Sequence, residues 1–198
     1  KKIYDIKMKG DFIMNSNVKN ITQIALLTAV LCVLSPLTIY LPISPVPIAL
    51  GNFVIYIFAI LLGTKKSFMG VIIFILLGAV GLPVFSQGQG GFAYLIGPTG
   101  GYLFGYLFCS LGTSIGENIG NRVSDKKVIR TAILALGMVI GTILCYLLGT
   151  IWLSYLNNLD FNKALAAGVI PFIPGDTAKI IIAIILTTPL KARLKRFI

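Results

Sequence analysis

Toward the end of the chain, Pro171-Phe-Ile-Pro-Gly-Asp-Thr-Ala-Lys-Ile180 places a carboxylate and an ammonium inside otherwise apolar sequence. Asp176 and Lys179 are three residues apart, so on a helix they share one face. The run that follows, Ile180 to Leu186, contains no polar side chain. A lone ionised side chain at mid-bilayer costs about 2.5–3.5 kcal/mol on insertion scales. A chain that keeps two of them must pair them, solvate them or use them. That pair is the strongest pointer to function in the sequence.

Two uncharged segments carry the other candidate contacts. Tyr40-Leu-Pro-Ile-Ser-Pro-Val-Pro-Ile48 is stiffened by three prolines, which fix φ and cannot continue a helix. The segment from Pro83 to Gly97 mixes amides, aromatics and glycines, with Ser86, Gln87, Gln89 and Tyr94 as its polar members. Mostly apolar loops with a few polar groups suit the lid of a ligand pocket; a re-entrant plug that packs the bundle is the other reading. Gly88-Gln-Gly-Gly-Phe-Ala93 fits G-x-G-x-x-A, but it follows an apolar span instead of opening a strand–turn–helix unit, so no dinucleotide site is expected.

Several chemistries are excluded. The chain has no histidine, which removes Ser/His hydrolysis and zinc sites built on imidazole. It has no GxxxxGK[ST] loop and cannot hydrolyse ATP by itself. No catalytic residue, cofactor or metal is expected. Cys32, Cys109 and Cys145 all fall within apolar spans and read as small packing residues.

The elements that must hold the pair are membrane helices. The residues are 57% hydrophobic and 12% charged, with a mean hydropathy of +0.93, far from a soluble protein. Six apolar spans are expected at about 20–40, 47–63, 67–82, 98–121, 128–156 and 164–190, the second and third barely reaching the roughly 20 residues that cross a bilayer. The expected fold is an all-α integral membrane bundle of six transmembrane helices. Fifteen of the seventeen cations fall on the side shared by both termini and the 2–3 and 4–5 connections, leaving Lys163 opposite and Lys179 within a span. The positive-inside rule then makes both termini cytoplasmic. Residues 1–19 read as a polar cytoplasmic tail, 20–190 as the membrane domain and 191–198 as a basic cytoplasmic end. Met14 is a natural start, with residues 1–13 an added segment or a mobile tail. The basic residues form no aromatic-interleaved patch, so no nucleic-acid partner is expected; attraction to the lipid bilayer follows from the net charge of +11.

Small residues recur at helix-packing spacing: Gly97, Gly101 and Gly105; Gly112, Gly116 and Gly120; Gly137 and Gly141. Ala25 and Ala29 form a similar pair on the first span, serving either internal packing or docking. Glu117 near Arg122 reads as an interfacial ion pair or a snorkelling acid.

Four motifs occur in order: Pro45-Val-Pro-Ile48, Leu77-Gly-Ala-Val-Gly-Leu-Pro-Val-Phe85, Gly97-Pro-Thr-Gly-Gly-Tyr-Leu-Phe-Gly105 and Pro171-Phe-Ile-Pro-Gly-Asp-Thr-Ala-Lys179. As an ordered set over about residues 20–190 they resemble the BioY family, the biotin-specific S components of energy-coupling factor transporters. The resemblance implies a subunit in a prokaryotic cell membrane that captures biotin with high affinity from the outer side. It also implies partners: a transmembrane coupling protein and two ATPase subunits, which fits the missing P-loop. By position, Asp176 and Lys179 match the family's acid and base at the biotin site, Gln87 lies in the loop where a polar residue is expected, and Ala25 and Ala29 match the docking motif. Phe85, Phe92 and Tyr94 could cover the ligand's sulfur ring and aliphatic tail. Where many relatives carry Thr and Gln after Val46-Pro47, this chain has Ala49 and Gly51, with Asn52 as the nearest substitute. Lys179 could meet either the ureido carbonyl or the valerate carboxylate. An S component for another vitamin and a proton-coupled carrier using Asp176 are the rival readings.

Overall fold

A computed structural model describes residues 16–39 and 46–194. The reading of residues 1–13 as a tail, the segment from Tyr40 to Pro45 and the last basic residues, Lys195 and Arg196, lie outside the described residues. The described chain is helical almost throughout: α1 (Ser16–Leu34), α2 (Gly51–Leu62), α3 (Thr64–Ala79), the short α4 (Phe92–Leu95), α5 (Gly100–Val123), α6 (Lys127–Asn157), α7 (Phe161–Gly168) and α8 (Ile173–Leu194). A two-residue antiparallel ribbon, β1 (Thr38–Ile39) with β2 (Ile48–Ala49), joins α1 to α2 and pairs Thr38 with Ala49 and Ile39 with Ile48.

Every expected apolar span contains a helix, but among the described residues only three stretches are long and apolar enough by themselves to cross a membrane: Asn17–Leu34, Lys127–Asn157 and Phe161–Lys191. With 12 and 16 residues α2 and α3 are shorter, and α5, at 24 residues, is long but less apolar, so a six-span description rests on the place of these three in the bundle. The expected sixth span is also interrupted. It comprises α7, a 3-10 turn at Ile170–Phe172 and α8. Gly168 and Pro171 flank the break, where the missing proline N–H cannot sustain the helical ladder.

The closest helix pair is α5 against α6, and glycines permit it. A methyl group on Gly112 would lie 2.5 Å from the Gly137 carbonyl oxygen, and one on Gly137 2.4 Å from that of Gly112. Gly116 faces Gly137 and Gly141 faces Phe108 and Cys109 in the same manner, so these rows are backbone-to-backbone seams. Gly97 belongs to no such row; it precedes α5, and its carbonyl accepts from Trp152 Nε1 at 2.9 Å. Cys109 and Cys145 are buried along the α5–α6 pair, with Cys145 against Gly105.

Internal polar groups lock the remaining helices. Tyr56 and Thr142 share a hydrogen bond of 2.6 Å between α2 and α6. Tyr102 donates to the Gly168 carbonyl at 2.9 Å, fixing the end of α7 onto α5. Glu117 does not pair with Arg122: it forms its ion pair with Lys191 of α8 and accepts from Asn121 one turn along its own helix. Arg122 lies five residues on, beyond the three- or four-residue spacing that brings helical side chains together. Large apolar side chains such as Val33, Leu136, Ile143 and Ile185 are exposed on the outer faces, the surface that hydrocarbon requires.

Candidate ligand site

The break before α8 sets up the site. Pro174 lies in the first turn of α8, where its fixed φ fits and no N–H is required. Asp176 follows in that turn, where the positive end of the helix favours a carboxylate. Its side chain is buried, with 7% of the residue exposed. Such a charge is tolerable only when paired and fully hydrogen-bonded.

That condition is met. Asp176 Oδ1 accepts from Asn52 Nδ2 at 2.9 Å and from Lys179 Nζ at 2.8 Å, and Oδ2 accepts from the Tyr146 hydroxyl at 2.6 Å. The Lys179 ammonium uses its other two donors on the Ala49 carbonyl at 2.7 Å and Asn52 Oδ1 at 3.0 Å. Four segments, α8, α2, α6 and β2, therefore converge on one acid–base pair. Gly51 makes room beside them, because a methyl group there would meet Tyr106 and Ser35 within 2.8 Å.

The cluster lines one side of a narrow cleft of about 60 Å³, whose other walls include Val46, Pro47, Ser86, Thr99, Tyr106 and Phe172. A wider cavity of about 460 Å³ adjoins it, lined by Gln87, Gln89, Ala93 and Tyr94 and sharing Pro47 and Thr99 with the cleft. An apolar groove of about 380 Å³ between α6, α7 and α8 also reaches Tyr146 and Asp176.

The sequence-predicted residues separate on this geometry. Asp176 and Lys179 meet in the cleft. Gln87 and Tyr94 line the wider cavity. Gln87 is exposed and adopts a left-handed backbone, φ 61° and ψ 25°, while its N–H donates to the Pro36 carbonyl at 3.2 Å. That bond ties the loop to the end of α1. Phe85 is fully buried, edge-on to Phe74 at 5.6 Å and stacked on Tyr94 at 5.4 Å. Phe92 is 67% exposed. Neither Phe85 nor Phe92 lines the two cavities. Ala25 and Ala29 are exposed on α1, one turn apart.

Tyr146 and Tyr106 are the members that sequence reasoning passed over, and Asn52 entered it only as a substitute. Tyrosine is common in apolar runs, and only the folded bundle shows which hydroxyl points inward. A carboxamide two residues after Leu50, at the start of an apolar helix, was the stronger signal.

Comparisons with known proteins agree with this architecture. Residues 8–196 match the BioY family. The chain is 35% identical to the biotin transporter BioY2 of Lactococcus lactis subsp. cremoris, over 86% of this chain and 89% of that protein. It is 32% identical to the probable biotin transporter BioY of Pyrococcus horikoshii, over 87% and 96%, and 35% identical to the biotin transporter BioY of Thermotoga maritima, over 77% and 85%. Its fold is similar to the crystal structure of the S-component for biotin from an ECF-type ABC transporter, with a TM-score of 0.78, 33% identity, and coverage of 90% of this chain and 95% of that one.

Proposed function

The chain belongs to the BioY family, and on that premise we propose that it is the biotin-binding S component of an energy-coupling factor transporter. It is a multi-pass membrane protein of a transporter family, not an enzyme. In this reading it takes biotin from the outer side and delivers it through a partner module that supplies ATP hydrolysis. Six spans with both termini in the cytoplasm of a prokaryote complete the proposal.

The observation that carries it is the Asp176–Lys179–Asn52–Tyr146 cluster at the cleft, with Asp176 and Asn52 buried and Lys179 and Tyr146 half-buried. Biotin's ureido ring offers two N–H donors and one carbonyl acceptor, each costly to bury unpaired. Asp176 accepts from the N–H edge, while Lys179 or the Asn52 amide donates to the carbonyl. These groups now satisfy one another, so binding exchanges hydrogen bonds inside an already ordered cluster and needs little reorganisation of charge. Pockets for drug-sized ligands enclose roughly 300–1,000 Å³, several times the cleft. Entry of the bicyclic head therefore requires the β1–β2 ribbon, held to Lys179 through Ala49, to yield. The wider cavity, with Gln87 and Tyr94, receives the rest of the molecule.

Titration calorimetry on the purified chain, with thiamine and riboflavin as competitors, tests this reading. Saturable binding of one biotin per chain, undisturbed by the other vitamins, is expected. Binding of another vitamin in preference to biotin would overturn it.

A further inference from the structure

Fifteen residues beyond Asp176 along α8, about 22 Å at the helical rise, a second polar pocket opens at the opposite end of the bundle. It encloses about 330 Å³ between α2, α5, α6 and α8. Lys127, Arg130 and Lys191 line it together with a single carboxylate, Glu117. That carboxylate is already engaged, in an ion pair with Lys191 and a hydrogen bond of 2.8 Å from Asn121. Arg130 donates to the Asn121 side-chain oxygen Oδ1 and has no carboxylate partner among the described residues; Lys127 likewise has no carboxylate partner among them. Lys127 and Arg130 are three residues apart at the start of α6 and share a face. The pocket thus holds a surplus of two positive charges.

Its floor is different in character. Ile60, Leu134 and Ile184 supply hydrocarbon, and the Thr187 hydroxyl is turned onto its own helix, donating to the Ala183 carbonyl at 2.7 Å. A basic mouth over an apolar floor, at the end of long apolar helices, matches a molecule with an anionic phosphate and a hydrocarbon continuation. A free phosphate would use only the mouth. We propose that this pocket binds the headgroup phosphate of an anionic phospholipid, with Lys127 and Arg130 on the phosphate and the glycerol ester over Ile60, Leu134 and Ile184.

The test uses the purified full chain in detergent, with phosphatidylglycerol, phosphatidylcholine of the same acyl chains, and inorganic phosphate as probes. Native mass spectrometry is expected to retain phosphatidylglycerol preferentially, and that lipid alone raises the thermal midpoint. Lys127→Gln and Arg130→Gln each reduce retention about fivefold, the equivalent of about 1 kcal/mol per cation. Lys65→Gln, which removes an exposed charge outside the pocket, leaves retention unchanged. Should Arg130→Gln fail to fold, the exposed position Lys127 carries the same reading. Equal retention of the two lipids, or unchanged phosphatidylglycerol retention in Lys127→Gln, would contradict the proposal. Equal protection by inorganic phosphate would assign the pocket to a free anion and overturn the lipid assignment. Unchanged lipid retention in variants that no longer co-purify with a coupling module would make the pocket a protein contact instead.

Discussion

The Lys179 ammonium lies 2.8 Å from Asp176 Oδ1, one helical turn away, and the same ammonium holds the Ala49 carbonyl at 2.7 Å. The acid–base pair is thus a clasp between α8 and the ribbon that borders the cleft. Asp176→Asn and Lys179→Met should each leave a chain that inserts and purifies as one species. Each should weaken biotin binding by about 10- to 100-fold, because a hydrogen bond to a charged group contributes about 1.5–3 kcal/mol. The double variant should lose less than the sum of the two. Calorimetry on the three variants checks this; parent-like binding in both single variants would make the pair structural.

Tyr146 donates to the other carboxylate oxygen at 2.6 Å. Tyr146→Phe keeps the ring and removes that bond, so affinity should fall about tenfold or somewhat more, the scale of a hydrogen bond to a charged group. An unchanged dissociation constant would show that the bond orients nothing the ligand uses.

These two cases also mark how far the sequence could be read. Charges at 176 and 179 were visible because apolar surroundings make them expensive. Their partners were not, since Asn52 and Tyr146 lie 124 and 30 residues from Asp176 in the chain and only packing joins them. Helix positions followed from hydropathy. The interruption between Gly168 and Ile173 did not, because an apolar stretch keeps its hydropathy whether or not its backbone is continuous. Phe85 was expected to cover a ligand, but hydrophobicity alone does not distinguish a ring facing a cavity from one filling the core.

Phe85 owes its seat to Gly78, where an added methyl group would lie 2.0 Å from the ring. Gly78→Ala should lower thermal stability by about 1–3 kcal/mol, the cost of overpacking. Phe85→Leu in the same chain should recover part of the loss. Undiminished stability of Gly78→Ala would show that the ring moves aside freely.

Trp152, the single tryptophan, donates to the Gly97 carbonyl at 2.9 Å, two residues from Thr99, which lines both cavities. Saturating biotin should therefore shift the tryptophan emission, and Trp152→Phe should abolish the signal while retaining binding. Constant emission at saturation would dissociate the Gly97–Thr99 segment from the ligand.

Ala25 and Ala29 are exposed on α1, so their small side chains leave room for another helix to approach from outside the bundle. Replacing both with Leu should reduce biotin uptake and co-purification with the coupling module together, with binding by the isolated chain preserved. Loss of binding would place the two alanines in the bundle's own packing; unchanged uptake would remove them from the interface.

The most direct measurement is a crystal structure of the chain grown with biotin. The account predicts ureido nitrogens within hydrogen-bond distance of Asp176, about 2.7–3.2 Å. The ureido oxygen should lie as close to Lys179 or Asn52, and the tail should run toward Gln87 and Tyr94. Biotin ordered in the apolar groove between α6, α7 and α8, with the Asp176–Lys179–Ala49 contacts intact, would contradict it.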